Sequence, residues 1–569
     1  MCGIAASFGT VGDASALETM LEAMYHRGPD DSGKLTSSTY TIGMNRLKMR
    51  GDGERLPFIT SDGHVRVAYN GEIYGKVSGD ALIIPPTPAR ELDGLLQSIA
   101  RDEHGDGMYA ACLVRTGSEL FVVRDALSIK PLFTMRNDNV RHMASEIGAL
   151  TQIVEKPFCS DAFLETLMFG FPLGGKTSRQ GIHEVRAGLN RVDYTSRPPA
   201  LVPETLSDPW DDVEEIDLRQ TLRHSVRACA HTHRKQGLAL SGGLDSVILA
   251  HELNSLGVED LTVFTVFVED GELGVADLSD LGFAKPGPWQ SWELVKINLG
   301  PHDYLDLLRE SAQAMNGPNR LSSAPLVMAI SNAAHRRGIT MIIAGEGPDE
   351  LFFGYNGHAA LLRTLEKTQA NPAFFEAAYC DYLCPEPLRA RLDQIMPREI
   401  TRSKLDELKK QLRTSRGLSP AARLVAAELD FSLKPLLWRT DHCFMANSIE
   451  ARMPYLHFGI PALARRDAAA GIPLNLTSKA RLRDAYLGVI PDAFVKKKKI
   501  AFRAPFNYWM SKVLNEQVTA RIKNFIPELS ELGIGFDRDL DIPSLVADEV
   551  SGSIVLNLMN LTYVIEKTG

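Results

Sequence analysis

Along the first part of the chain, apolar and polar residues alternate over short runs. Val65-Arg66-Val67-Ala68-Tyr69 and Leu120-Phe121-Val122-Val123 carry this pattern. Side chains on an extended backbone point to opposite faces in turn, so such runs predict half-buried strands. Beyond the middle of the sequence the pattern changes. Short apolar runs, such as Gly237-Leu238-Ala239-Leu240 and Ile342-Ile343-Ala344, are separated by long stretches with helical spacing. Strands that alternate with amphipathic helices predict a parallel sheet. Between the two regimes lie Arg197-Pro198-Pro199, Pro203 and Asp208-Pro209-Trp210. Proline favours extended linker structure. The pattern therefore predicts a first domain over 1–190, a linker over 191–212 and a second domain over 213–569.

Length and composition add bounds. A chain of 569 residues that is 44% hydrophobic can bury more than one core. The net charge of -9 argues against a nucleic-acid protein. The one basic run, Lys496-Lys497-Lys498-Lys499, reads on its own as a solvated loop or a nucleic-acid patch. Seven scattered cysteines suit a reducing, cytoplasmic setting and no disulfide framework. Cys380 and Cys384 stand about one helical turn apart, and His231-Thr232-His233 is a lone pair; neither has zinc spacing. No signal peptide or membrane-spanning apolar run is visible, so no membrane partner is expected.

The chemistry begins at the second residue. Removal of Met1 would give Cys2 a free α-amine beside its thiol, a base tethered to a nucleophile. Further along come His26-Arg27-Gly28-Pro29-Asp30, Asn45-Arg46-Leu47 and Asn70-Gly71-Glu72-Ile73-Tyr74. Arg124-Asp125, Lys130-Pro131-Leu132 and Ala144-Ser145-Glu146 follow. In this order the segments resemble the N-terminal-nucleophile glutaminase domain of class II glutamine amidotransferases. The resemblance implies an αββα sandwich with Cys2, Asn70 and Gly71 as catalytic groups. Arg46 and Leu47 would hold glutamine at its carboxylate end, since guanidinium pairs with carboxylate in a bidentate way. Glu72 and Glu91 would hold the α-ammonium. The Asn70 amide and the Gly71 N–H would stabilise the oxyanion. Glu91 stands where the family usually has a shorter aspartate.

A second motif opens the later part. The strand-like Gly237–Leu240 run leads into Ser241-Gly242-Gly243-Leu244-Asp245-Ser246 and a helical pattern. A Ser/Gly-rich turn between strand and helix presents N–H groups to an anion. This stretch resembles the PP-loop of ATP pyrophosphatases, which implies that Leu240, Ser241, Gly242, Gly243, Asp245, Ser246 and Gly345 bind ATP. Gly345-Glu346-Gly347-Pro348-Asp349-Glu350 ends another apolar run. In an α/β sheet, sites lie beyond the carboxyl ends of strands. Asp245 and Asp349 would hold Mg2+, Glu346 would take a proton, and Lys479 would steady developing charge.

Both parts together resemble the glutamine-dependent asparagine synthetases. Ser448-Ile449-Glu450-Ala451-Arg452-Met453-Pro454-Tyr455 and Lys498-Lys499-Ile500-Ala501-Phe502 strengthen the match. The implied chemistry is glutamine hydrolysis at Cys2, adenylation of a carboxylate by MgATP, and capture of the acyl-adenylate by ammonia. The implied partners are glutamine, ATP and a carboxylic acid acceptor; a homodimer is expected. Aspartate is the leading acceptor and another small carboxylic acid the alternative. An inactive regulatory or scaffold homologue is the reading from a different class. Pro348, Phe353, His457 and the 282–289 and 441–445 segments depart from the family pattern. These departures bear on the acceptor.

Overall fold

The computed structural model describes residues 2–9, 15–50, 55–74, 76–78, 81–85, 88–99, 101, 105–115, 119–204, 217–271, 274–282, 287–317, 319–367, 372–471, 478–499, 501–535 and 549–566. The chain mixes helices and sheets in both parts; the parallel sheet of the later part is the one its hydrophobic pattern predicts.

The early alternating segments form two antiparallel sheets. In the first, the strand Cys2–Gly9 lies between Val140–Ala144 and Tyr40–Arg46. In the second, Val65–Ile73 pairs with Gly107–Arg115. The period of two decides what each residue of Cys2–Gly9 touches. Cys2, Ile4, Ala6 and Phe8 turn into a core shared with Val67, Ala110 and Val122 of the second sheet. Ala5 turns the other way, onto Leu17 and Met20 of the helix Ser15–Ala23. The helix Pro88–Ile99 packs on the outside of the second sheet. The result is a helix–sheet–sheet–helix sandwich, with Cys2 facing its interior.

The expected linker is partly sheet. Its first residues belong to the strand Gly188–Asp193, which pairs with Glu119–Arg124 and with Ala200–Pro203. Pro203 ends the edge strand of that sheet, where proline is tolerated. Residues 205–216 lie outside the described residues.

Five parallel strands form the later sheet, in the spatial order Glu293–Leu299, Thr262–Val268, Gln236–Ala239, Met341–Ile343, Glu450–Arg452. Chain order runs outward in both directions from Gln236–Ala239. The switch point therefore lies between that strand and Met341–Ile343. This is where a doubly wound sheet opens its crevice. Both motif loops, 241–246 and 345–350, leave the sheet there.

Buried charges join the two parts. Arg27 Nη2 meets Asp441 Oδ2 at 2.8 Å and Arg27 Nη1 meets Glu146 Oε1 at 3.0 Å. Lys130, fully buried, approaches Asp441 Oδ1 at 3.5 Å. Ser448 Oγ donates to the His26 carbonyl at 2.5 Å. Burial alone would push the Asp441 carboxyl up, but Arg27 and Lys130 outweigh it and hold the group below the usual carboxylate range.

The sign of that shift sets a prediction. A carboxyl depressed in the folded state contributes its full stability above its unfolded value, about pH 4. The contribution drains away as pH falls through the lower folded value. Asp441→Asn is expected to cost about 3 kcal/mol at pH 7, as for a broken buried pair, read from urea midpoints. It should also lose less than the parent on acidification. An unchanged midpoint at pH 7 would show that the junction does not depend on this pair.

Candidate functional sites

Cys2 stands at the start of its strand, opposite Arg46 in register and buried. Its backbone N–H donates to Asn70 Oδ1 at 3.0 Å. Burial pushes the thiol up, while the Arg46 charge and the Leu47 N–H pull the other way. The Asn70 amide nitrogen is buried and has no hydrogen-bond partner among the described residues. A buried N–H donor without a partner costs free energy unless something polar reaches it. Gly71 follows with φ of +134°, and a Cβ there would come within 1.9 Å of the Met108 carbonyl oxygen. Only glycine fits this crossing. The sequence-predicted thiol, amide and glycine are thus brought together.

The carboxylate-binding and ammonium-binding candidates also converge. Arg46 lies over the Phe58 ring at 4.9 Å and donates to the Arg50 carbonyl at 2.9 Å. Glu91, in the first turn of the helix Pro88–Ile99, accepts from Tyr69 Oη and from the Ile73 N–H, each at 3.3 Å. Burial, then the neighbouring Glu72, push its carboxyl well up. Three participants escape the sequence reading. Arg50 donates to both Glu72 and Glu91. Arg452, from the later sheet, meets Glu72 Oε1 at 2.9 Å and Glu450 Oε1 at 2.5 Å. The strand register could have exposed this pair, because Glu450 and Arg452 are two apart and share a face. No signal in the sequence pointed to Arg50.

Other family-motif residues hold the scaffold. Asp125 accepts N–H bonds from Tyr109, Ile129 and Lys130 at 3.0, 2.8 and 3.2 Å. Ser145 Oγ accepts from the Ile4 N–H at 3.1 Å, fixing the strand that carries Cys2.

The second site forms at the sheet's switch point around a cavity of about 400 Å³. Leu240, Ser241, Gly243, Asp245, Ser246, Gly345, Glu346, Asp349 and Lys479 all line it. Gly242 sits in the turn with φ of +74°, a left-handed conformation that suits glycine. Ser241 Oγ accepts from the Gly243 N–H at 3.3 Å and lies 3.2 Å from Ser246 Oγ. The helix Leu244–Ser255 starts there, so its positive end faces the cavity.

One lysine ties the two acidic loops. Lys479 Nζ lies 2.6 Å from Asp245 Oδ2 and 2.8 Å from Asp349 Oδ1. Lys499 pairs with Asp349 as well. Burial works against the Lys479 charge, but the two carboxylates overcome it and hold the ammonium firmly protonated. Burial raises Asp245 despite Lys479, and its neighbour Asp349 adds to the rise. Asp349 is lowered, because two lysines outweigh its burial. Asp245 Oδ1 is buried with no hydrogen-bond partner among the described residues. Glu346 accepts from Arg439 and, at 3.3 Å, from Thr440 Oγ1.

The lysine run is not the solvated loop expected from its composition. Lys496 does pair with Asp492 at the surface. Lys497, Lys498 and Lys499 line the cavity, and Lys497 Nζ donates to the Gly242 carbonyl at 3.1 Å. Of the positions that depart from the family pattern, Phe444 lines this cavity. His457 lies at the junction instead, 4.6 Å from the Tyr74 ring and 3.4 Å from Asp106. Residues 283–286 lie outside the described residues.

Comparison with known proteins assigns each part of the chain to a family. The asparagine synthase family model matches residues 217–534. Two glutamine amidotransferase domain models match residues 1–78 and 97–152. The chain is 23% identical to asparagine synthetase (glutamine-hydrolyzing) 1 of Bacillus subtilis, over 93% of the chain and 90% of that protein. It is 25% identical to asparagine synthetase (glutamine-hydrolyzing) 2 of the same organism, over 88% of the chain and 72% of that protein. With asparagine synthetase (glutamine-hydrolyzing) 3 of Arabidopsis thaliana, identity is 27% over 62% of the chain and 61% of that protein.

The packing around Lys479 yields a prediction. A Cβ on Gly354 would come within 1.9 Å of Asp349 Oδ1 and 2.4 Å of Lys479 Cε. Gly354→Ala must therefore displace the group that ties the two acidic loops. ATP binding, measured by calorimetry, is expected to weaken by roughly tenfold or more. Affinity equal to the parent's would show that the loops tolerate the added methyl.

Proposed function

The chain belongs to the asparagine synthase family, and we propose that it is a glutamine-hydrolysing amide ligase that activates its carboxylate acceptor with ATP. The observation that carries the reading is the convergence of Asp245 and Asp349 on Lys479 beside the Ser241–Ser246 turn. A second and separate thiol site lies in the same chain. The division expected from the sequence supports it: a glutaminase part, then an amide-forming part.

At the first site, the Cys2 thiol attacks the side-chain amide of glutamine. With Met1 removed, the freed α-amine takes the thiol proton and passes it to the departing ammonia. The Asn70 Nδ2 donor and the Gly71 N–H meet the oxyanion, a contribution of a few kcal/mol per donor. Water then hydrolyses the thioester, giving glutamate and restoring the thiol. Arg46 holds the α-carboxylate, and Glu72 with Glu91 takes the α-ammonium.

At the second site, the N–H groups of residues 241–246 and the lysines 479, 497, 498 and 499 receive the triphosphate. A carboxylate oxygen of the acceptor attacks the α-phosphorus, the bond to the β-phosphate oxygen breaks, and pyrophosphate leaves. Ammonia adds to the acyl carbon, Glu346 accepts a proton from the resulting ammonium, and AMP departs. Two carboxylates with an orphaned oxygen suit Mg2+, which takes most of its ligands from water and phosphate. When bound, the ion would neutralise phosphate charge; Asp245 and Asp349 would hold it. Among the described residues no group of three or more His, Cys, Asp or Glu forms a larger metal site.

Aspartate is the leading acceptor. Its charged ends call for a polar wall, and Arg439, Ser322 and Ser323 supply one. Phe444 and Leu436, which also line the cavity, favour the alternative of a less amino-acid-like acid. Buried polar pockets reject analogues that lack a group the site is built to bind. An acceptor screen that reads AMP formation decides between them. Saturable turnover with aspartate ends the alternative; response to another acid alone ends the aspartate assignment.

The two sites should separate by mutation. Cys2→Ala is expected to remove glutamine-dependent product and to keep product from added ammonia at high pH. Glutaminase activity persisting in Cys2→Ala would falsify the nucleophile assignment. Asp245→Asn and Asp349→Asn are each expected to abolish pyrophosphate release and to leave glutamine hydrolysis intact. ATP cleavage to AMP surviving in both variants would remove these carboxylates from the mechanism.

A further inference from the structure

The pocket beside Cys2 holds a guanidinium where the proposed substrate carries its ammonium. Arg50 is 6% exposed. Its Nη2 donates to Glu72 Oε2 and to Glu91 Oε1, and its Nη1 donates to the Pro85 carbonyl at 3.1 Å. Hydrogen bonds from an ionised donor such as guanidinium are the strong class, and burial strengthens them. With Arg50 in place, the cavity lined by Cys2, Arg46, Gly71, Glu72 and Glu91 is about 30 Å³. That is room for about two water molecules, and too little for an amino acid.

We propose that Arg50 is an intramolecular competitor of the α-ammonium of glutamine, and so sets how readily the amide donor enters the Cys2 pocket. The inference rests on the reading of Cys2 as a glutaminase nucleophile and adds the residue that limits access to it. The cation of an amino acid and the cation of Arg50 cannot both occupy the oxygens between Glu72 and Glu91. Glutamine binds only as Arg50 withdraws, and its apparent affinity is reduced by the fraction of time Arg50 stays in place.

The acids have other contacts besides Arg50. Glu72 keeps Arg452 at 2.9 Å on its other oxygen. Glu91 keeps the Tyr69 hydroxyl and the Ile73 N–H, each at 3.3 Å. Removing the Arg50 charge therefore leaves a built acidic pair with a free face. A substrate ammonium is the group that fits that face. Neighbouring charge comes from Arg46 on the carboxylate side and from Glu450 behind Arg452, and neither contacts Arg50 in the way the two acids do.

The test uses the full-length protein and two thiol reagents. One is the diazoketone analogue of glutamine (DON), which carries the α-ammonium and α-carboxylate. The other is iodoacetamide, which carries neither. Cys2 alkylation is followed by mass spectrometry in the parent, Arg50→Met, Arg50→Gln and Arg50→Lys. Arg50→Met and Arg50→Gln are expected to raise the DON rate by roughly tenfold or more, the scale of one lost charge-assisted contact. Their iodoacetamide rates should change far less. Arg50→Lys keeps the competing cation and is expected to stay near the parent. DON rates that stay flat or fall in both neutral variants, with iodoacetamide labelling intact, overturn the competitor role. Cys2 that labels with iodoacetamide and never with DON, in every form, overturns the glutamine reading itself and the competitor role with it.

Discussion

The arrangement of both sites depends on how charge is compensated at the buried junction around Arg452. This guanidinium has no exposure, and it lies between Glu450 of its own strand and Glu72 of the early sandwich. It also donates to the carbonyls of Cys229 and His231 at 2.9 and 3.0 Å. A buried charge is tolerable only with such partners. Because Arg452 lies on the strand beside Met341–Ile343, its carbonyl accepts from the Ala344 N–H at 2.9 Å, one residue before Gly345. The residue that pairs with Glu72 of the Cys2 pocket is therefore hydrogen-bonded to the start of the loop carrying Glu346 and Asp349. Position at one site constrains position at the other through a few covalent steps and one ion pair.

The two sites treat charge differently. Around Cys2, acids and guanidiniums interlock with little space between them. At the sheet's switch point, lysines face an open cavity and the carboxylates are gathered by a single ammonium. The first arrangement suits a small zwitterion, which must replace contacts already made. The second suits a large polyanion, which enters a field of positive charge that is already oriented.

Much of this was legible in the sequence. Period-two alternation marked the Val65–Tyr69 and Leu120–Val123 runs as strands, and both are strands of the second sheet; the Ser-Gly-Gly-Leu-Asp-Ser turn fell at the switch point as a strand-to-helix signature requires. Gly71 and Gly242 were needed for the backbone conformations they adopt. What stayed hidden was long-range pairing. Nothing local to Arg50 marks it as the partner of Glu72 and Glu91, since the contacts join loop, strand and helix. Composition alone read the lysine run as a solvated loop or a nucleic-acid patch, because it cannot say which face of a loop meets a cavity; only the resemblance put Lys498 and Lys499 among the cations of the triphosphate site. The proline-rich segment after residue 190 read as linker, because edge strands and linkers tolerate proline for the same reason. His457 drew notice as a change at an acceptor site, yet it packs on Tyr74 at the junction.

The strand Glu450–Arg452 is the last to join its sheet in sequence and lies at its edge. An open edge strand is a template for pairing with other chains, and proteins cover or charge such edges. Here the early sandwich provides the cover, and the charged side chains that would otherwise protect the edge are turned inward to meet it. Severed from the sandwich, the later part would lose Glu72 from Arg452 and both Arg27 and Lys130 from Asp441, beside an uncapped strand. The acid that orders the pocket near Cys2 is in this way also a shield for the last strand of the other sheet.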